Sequence, residues 1–334
     1  MKIFHKLMSR FRQFGGIKLV WAYLQEGILL VVIHQAFCLS IGRKSRDESY
    51  AAIRRKINEK LQRKYATCIN ERKNFYEKQE LRQQRSRTIW VCWLQGLENA
   101  PIIVKACYNS LQRYFVQECK GSKVQGYEIK VVDAENWRKY VKLPKFIIKK
   151  WDEGKIPAAL FSDLLRLELL IKYGGTWMDS TVLCTGFQGS KVQEYKSFLD
   201  VDLFMFQTLV KGDDRFYGTS NWFITACSGN KLLMVLRDVL LQYWKDYNVT
   251  LNYYMFHDFF YTIAQLYPEE IAAMPRANRL LPLQLMRRMG DTYDEEWMER
   301  LKSICCFHKL NYRLSADVEK DTENFYHAII KDYT

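Results

Sequence analysis

Residues 158–182 read Ala158-Ala-Leu-Phe-Ser-Asp-Leu-Leu-Arg-Leu-Glu-Leu-Leu-Ile-Lys-Tyr-Gly-Gly-Thr-Trp-Met-Asp-Ser-Thr-Val182. Leu160, Leu164, Leu167 and Ile171 recur at helical spacing and make one apolar stripe. Gly174-Gly175 supplies a stop, because glycine takes the positive φ that ends a helix without a Cβ clash. Thr176–Leu183 then reads as a strand. Helix, glycine pair and strand in immediate succession predict an α/β layer. Asp163 and Arg166, three apart, share a helix face. Asp179 and Thr181, two apart, share a strand face. Buried and unpaired, such groups cost several kcal/mol, so they need partners. The ordinary partners would be each other, as a local Asp163–Arg166 ion pair beside a surface Asp179.

Working outward, Thr88-Ile-Trp-Val-Cys-Trp93 is β-branched and aromatic and ends at Gln95-Gly96, which reads as a buried strand opening a domain. Pro101 starts a helix over Ile102–Phe115. Tyr127–Val132 reads as a second strand, followed by a helical piece near Asn136–Tyr140. Strand, helix, strand predicts a mostly parallel sheet, whose ligands bind beyond the carboxyl ends of the strands. Trp93, Gln95 and Gly96 fall at that end of the first strand.

The charge is lopsided. Residues 1–87 carry 20 Lys and Arg against 7 Asp and Glu, while the other 247 residues are almost balanced, 31 against 30. The expected organisation is a basic helical N-terminal arm, 1–87, and a catalytic domain, 88–334. In the arm, residues 47–84 read as a long helix with Asp47 as N-cap. Its stripe of Ile53, Ile57, Leu61, Tyr65 and Ile69 would pack on the body or a second copy. Residues 17–41 are apolar, but Lys18, Glu26, His34 and Gln35 interrupt them, leaving no run of the ~20 residues a spanning helix needs. They fit either a helix docked on the protein or one lying in a membrane interface, with Lys2, Lys6, Arg10, Arg12 and Lys18 near lipid phosphates. Nucleic acid is not the expected partner, because Glu59, Glu71, Glu77 and Glu80 interleave with the basic residues and no recognition motif is visible.

Nine scattered cysteines without metal-ligand spacing suit a reducing compartment. Met1–Gly16 lacks the apolar core and cleavage site of a secretory signal. The expectation is a cytoplasmic protein, peripheral on the inner face of the cytoplasmic membrane if the arm engages lipid. His257-Asp258 invites a general-base reading, although adjacent residues seldom face each other. Its aromatic surroundings suggest an acceptor-side wall.

The pattern Ser162-Asp-x-x-Arg166, then Tyr173-Gly-Gly-x-Trp177-x-Asp179-x-Thr181, resembles the nucleotide-sugar site of glycosyltransferases. More closely, it resembles bacterial capsular polysaccharide synthesis proteins related to glycosyltransferase family 32. Ile89–Gly96, Ser220–Ala226 with Gly229-Asn230, and Phe307-His-Lys-Leu310 extend the resemblance in order. Phe14-Gly-Gly16 carries it into the arm.

The resemblance implies a GT-A-like nucleotide-diphospho-sugar transferase fold and a hexosyltransferase-like enzyme of retaining type. Such an enzyme moves sugar from a nucleotide-sugar donor to an oligosaccharide or lipid-linked glycan in capsular or cell-surface polysaccharide assembly. By position, Asp163, Arg166 and Asp179 would be catalytic. Trp93 would stack on the base, with Gln95, Gly96, Ser162, Trp177, Asn221 and Lys309 completing the donor site. Asn221 has a second reading, as cap of a following helix. Mn²⁺ or Mg²⁺ would be held by Asp179 and Thr181, with His308 as a further ligand; a structural histidine is its ordinary alternative. Thr181 stands where the broader family has a second acid, a weaker metal ligand. A catalytically inactive nucleotide-sugar-binding partner of a transferase complex is therefore the rival reading.

Overall fold

The computed structural model describes residues 15–116, 126–187, 190–207 and 219–334. Phe14, Lys2, Lys6, Arg10 and Arg12, named above, lie outside the described residues. The chain divides into two compact units. One comprises Met1–Glu80, Leu143–Leu164 and Lys231–Pro268. The other comprises Leu81–Lys142, Leu165–Asn230 and Glu269–Thr334.

The second unit is the α/β layer. Its strands are β1 (Thr88–Cys92), β2 (Glu128–Val132), β3 (Gly175–Met178), β4 (Val182–Cys184), β5 (Leu203–Gln207), β6 (Thr219–Ala226) and β7 (Phe307–Lys309). Five form a sheet in the order β2-β1-β3-β6-β5. β1 runs parallel to β2 and β3, and β6 runs antiparallel to β3 and β5, so four strands share a direction and β6 opposes them. The sheet is thus mostly parallel, as expected. Helix Ile102–Phe115 connects β1 to β2 and buries Ile103, Val104, Cys107, Leu111 and Phe115.

The glycine corner forms as read. Gly174 and Gly175 have φ of 67° and 97°. A Cβ on Gly175 would sit 2.3 Å from the Thr88 carbonyl oxygen, so a side chain there would collide with β1 as well as strain the backbone. The Trp90 indole donates to the Gly174 carbonyl at 3.0 Å and pins the corner.

Three local expectations are corrected. Thr176–Leu183 is two strands, not one: β3 stops at Met178, and Asp179–Thr181 makes a turn closed by the Val182 amide donating to the Asp179 carbonyl at 2.9 Å. β4 then leaves the main sheet to pair antiparallel with β7, Val182 against Lys309 and Leu183 against His308. Asp179 and Thr181 therefore flank a turn rather than lie along one strand face. Asn221 caps no helix; it lies inside β6, whose β-branched and aromatic residues favour extension.

The third correction concerns the long helix, which spans Arg46–Glu77. Its cap is Ser45 rather than Asp47, in a reciprocal box with Glu48. It ends earlier than 84 because the Gln84 backbone pairs with Ser228 instead.

In the helical unit, Ile57, Leu61, Tyr65, Ile69 and Tyr76 of the long helix are buried. They pack with helices Lys231–Asp246 and Met255–Ala264. Tyr65 donates to Asp246 and Tyr76 to Asp238, each at 2.7 Å, and Gln62 to Thr262 at 2.8 Å. The arm's stripe thus packs on body segments of the same unit. Asp258 meets Arg54 at 2.7 Å and also accepts from Asn252, so it is a structural ion-pair member. Phe256, Phe259 and Phe260 are buried in this unit's core, while Tyr253 of the same aromatic segment is half exposed.

Candidate functional site

The carboxyl ends of β2, β1 and β3 lie side by side, since Cys92 pairs with Val132 and Trp90 with Trp177. Asp133, Trp93 and Asp179 are the residues that follow each strand end. Arg166 reaches this edge from the helix Ala158–Tyr173. It lies seven residues before the helix ends at Tyr173, about 10 Å of helix, and the four residues of β3 return about 13 Å the other way. The spacing of arginine, glycine pair and aspartate therefore brings guanidinium and carboxylate level.

The contacts bear this out. Arg166 donates to the Asn221 carbonyl at 2.7 Å and to Asp179 Oδ1 at 3.4 Å, with its guanidinium 4.8 Å from the Trp177 ring. The Trp177 indole donates to the same oxygen at 3.0 Å. Lys309 Nζ lies 3.4 Å from Asp179 Oδ2 and donates to the Thr181 hydroxyl. Asp179 is thus held by two cations and an indole. Arg166 is buried, while Asp179 keeps a quarter of its side chain exposed, at 26%.

The remaining predicted residues divide. Trp93 is half-buried, its ring edge-on to Tyr312 with centroids 5.1 Å apart, and its buried indole nitrogen has no partner among the described residues. Gly96 has φ of 80°, and exposed Gln95 accepts from Asn99 through its carbonyl. Asp163 is buried on the Arg166 face of the helix. The Ser162 hydroxyl donates to the Ala159 carbonyl at 2.9 Å.

His308 is placed differently. It neighbours Lys309 on β7, so the two side chains point to opposite faces. The imidazole is fully buried against the Thr185 hydroxyl at 3.1 Å, and burial pushes its pKa down to about 3. That is the geometry of a neutral core histidine.

Sequence reading missed Asp133 and Tyr312. Asp133 accepts from the Glu135 and Asn136 amides and, with Arg166 and Asp179, lies within electrostatic reach of the Cys92 thiol. Its signal was available, since it ends a predicted strand as Trp93 does.

Among the described residues no group of three or more His, Cys, Asp or Glu is arranged to hold a metal ion. The donor set is one carboxylate and one hydroxyl, fewer than the six oxygens Mg²⁺ requires. It fits a cation that arrives with diphosphate and water in its shell, leaning on Asp179, and not one held by protein alone.

Among solved structures, the chain is similar to one described as PaToxG glycosyltransferase. The identity is 11%, over 74% of this chain and 94% of that one, and the TM-score is 0.33, a likeness too distant to carry an argument. No curated protein matches. Residues 39–329 match the family described as capsular polysaccharide synthesis protein, and the chain belongs to that family.

Proposed function

We propose that this protein is a glycosyltransferase of capsular or cell-surface polysaccharide assembly, with a GT-A-like donor site at the carboxyl edge of β1, β2 and β3. The observation that carries the reading is the pair of cations on Asp179. Arg166, Lys309 and Asp179 together hold one net positive charge at a strand edge, which complements a nucleoside diphosphate. Arg166 offers a planar fork and Lys309 a point charge to phosphate oxygens. The Trp93–Tyr312 pair supplies an aromatic wall for the base.

In the transfer, the bond from the anomeric carbon to the diphosphate oxygen breaks and an acceptor hydroxyl oxygen takes its place. The hydroxyl proton goes to the departing diphosphate. Arg166 and Lys309 stabilise the charge that grows on that leaving group, in place before it develops. A divalent cation shared between Asp179 and the diphosphate would add Lewis-acid stabilisation. Retention of anomeric configuration accords with the family resemblance and needs no strong base.

The test is nucleotide release from UDP-, GDP- and CMP-sugars with and without Mn²⁺, beside Asp179→Ala. Release that the variant loses supports the transferase and identifies the donor. Binding without release, with acceptor glycans present, favours the inactive partner that Thr181 suggests. No binding across the panel overturns both.

A further inference from the structure

The helices Ile17–Gln25 and Leu29–Ser40 each turn one stripe of apolar side chains away from the protein. Ile17, Trp21 and Leu24 form one stripe of the first, with Ile17 83% and Trp21 59% exposed. Leu30, Ile33, Phe37 and Ile41 form the stripe of the second, with Leu30 80% and Phe37 58% exposed. The second helix buries Gln35, only 6% exposed, which accepts from Lys44 at 3.2 Å. A helix against water shows the opposite arrangement. Contiguous apolar surface of this kind marks an interaction site.

The helices are strapped to their own unit. Leu19, Ala22 and Cys38 are buried, and the Tyr23 hydroxyl donates to the Leu251 carbonyl at 3.3 Å. Glu26, at the break between them, takes Lys64 at 2.9 Å and accepts from the Tyr247 hydroxyl. The two are bent by 118°, and no single helix among the described residues is long and apolar enough to cross a membrane. An apolar-walled cleft of about 390 Å³ opens beside the first, lined by Ile17, Trp21 and Val249 with Lys18 at its side.

Charge selects the occupant. Residues 1–25 hold Lys2, Lys6, Arg10, Arg12 and Lys18 and no acidic residue, and Arg43, Lys44 and Arg46 follow the second helix. A second copy would bring the same excess of positive charge against it. A polyanion without acyl chains would leave the Leu and Phe side chains in water. We infer that Ile17–Ile41 is a seat on an anionic lipid bilayer, with its apolar stripes in the acyl boundary and the flanking Lys and Arg on lipid phosphates.

The test is flotation of the full chain with phosphatidylcholine vesicles and with vesicles that also contain phosphatidylglycerol. The protein should rise with the anionic vesicles, less with neutral ones, and less again at high salt. Trp21→Glu with Phe37→Glu should cut partitioning by about a hundredfold while the unfolding midpoint stays put, since both side chains face outward. The inference is overturned by a wild type that stays at the bottom, or by a double variant that floats like it. It is equally overturned by a wild-type dimer that the double variant splits, because a second copy would then cover the face. Nucleotide release uses soluble donor, so failure of either reading leaves the other standing.

Discussion

Two arginine–aspartate pairs in this molecule have the same chemistry and opposite surroundings. Arg54 and Asp258, in the helical unit, meet at 2.7 Å with side-chain exposures of 8% and 1%. Arg166 and Asp179, in the α/β unit, stand 3.4 Å apart, and Asp179 remains partly open with Lys309 on its other oxygen. The first pair is closed, and both Asp258 oxygens are taken, one by Arg54 and one by Asn252. The second has more positive charge than its carboxylate can neutralise and faces a strand edge. A matched pair holds a fold together; a mismatched, open one is what the proposed diphosphate site requires.

The strongest way to break the comparison is Arg54→Met, which leaves the Asp258 carboxylate buried without its partner. Equilibrium unfolding should show a loss of about 3–5 kcal/mol, with nucleotide release per folded molecule unchanged. If release fell with stability intact, Arg54 would belong to the site. Lys309→Met should do the reverse. It should lower kcat/KM for nucleotide release by about 10²–10³-fold, or about 2.7–4 kcal/mol, with an unfolding midpoint near that of the wild type.

Titration sharpens the contrast. Burial pushes the Asp258 carboxyl up to about 6, although Arg54 and Asn252 pull it down. An unfolded chain releases that proton near pH 4, so between about pH 4 and 6 the native state binds more protons. The Asp258 contribution to stability must then fall as pH rises through that window, by up to about 3 kcal/mol, while carboxyls held low, such as Glu26 and Glu128, contribute in the opposite sense. Denaturant midpoints at stepped pH should show the stability of the wild type falling relative to that of Asp258→Asn across this window. The smallest effect expected is from Trp93→Ala, which should weaken nucleotide binding by about 1–3 kcal/mol in calorimetry, the worth of one stacked base. No change in affinity would move the base elsewhere on the edge.

What was legible in the sequence was local. The Leu160–Ile171 stripe, the glycine pair and Ile102–Phe115 each announce themselves within one element, and their spacing brought Arg166 to Asp179. The break after Met178 was hidden, because Thr176–Leu183 is uniformly β-prone and the partner that draws Val182 away lies on β7. His308 and Lys309 show the same limit: either could face the corner until the register of β4 with β7 is known. β5 (Leu203–Gln207) and the β6 setting of Asn221 depend likewise on sheet neighbours. The Ser45–Glu48 capping box was readable and overlooked in favour of Asp47. How helices from three separate stretches gather around Arg46–Glu77 is long-range packing, which periodicity does not encode.

Lys309 and Thr181 are 128 residues apart in the chain. Arg166, the glycine corner and Asp179 can assemble from one short stretch, but the second cation arrives only after the whole intervening polypeptide has been made and β7 has found β4. Closing so long a loop is entropically slow compared with local structure. The first cation of the Asp179 corner is thus a local contact, and the second rests on one of long sequence separation. On the proposed function, nucleotide release would then begin only once β7 has paired with β4.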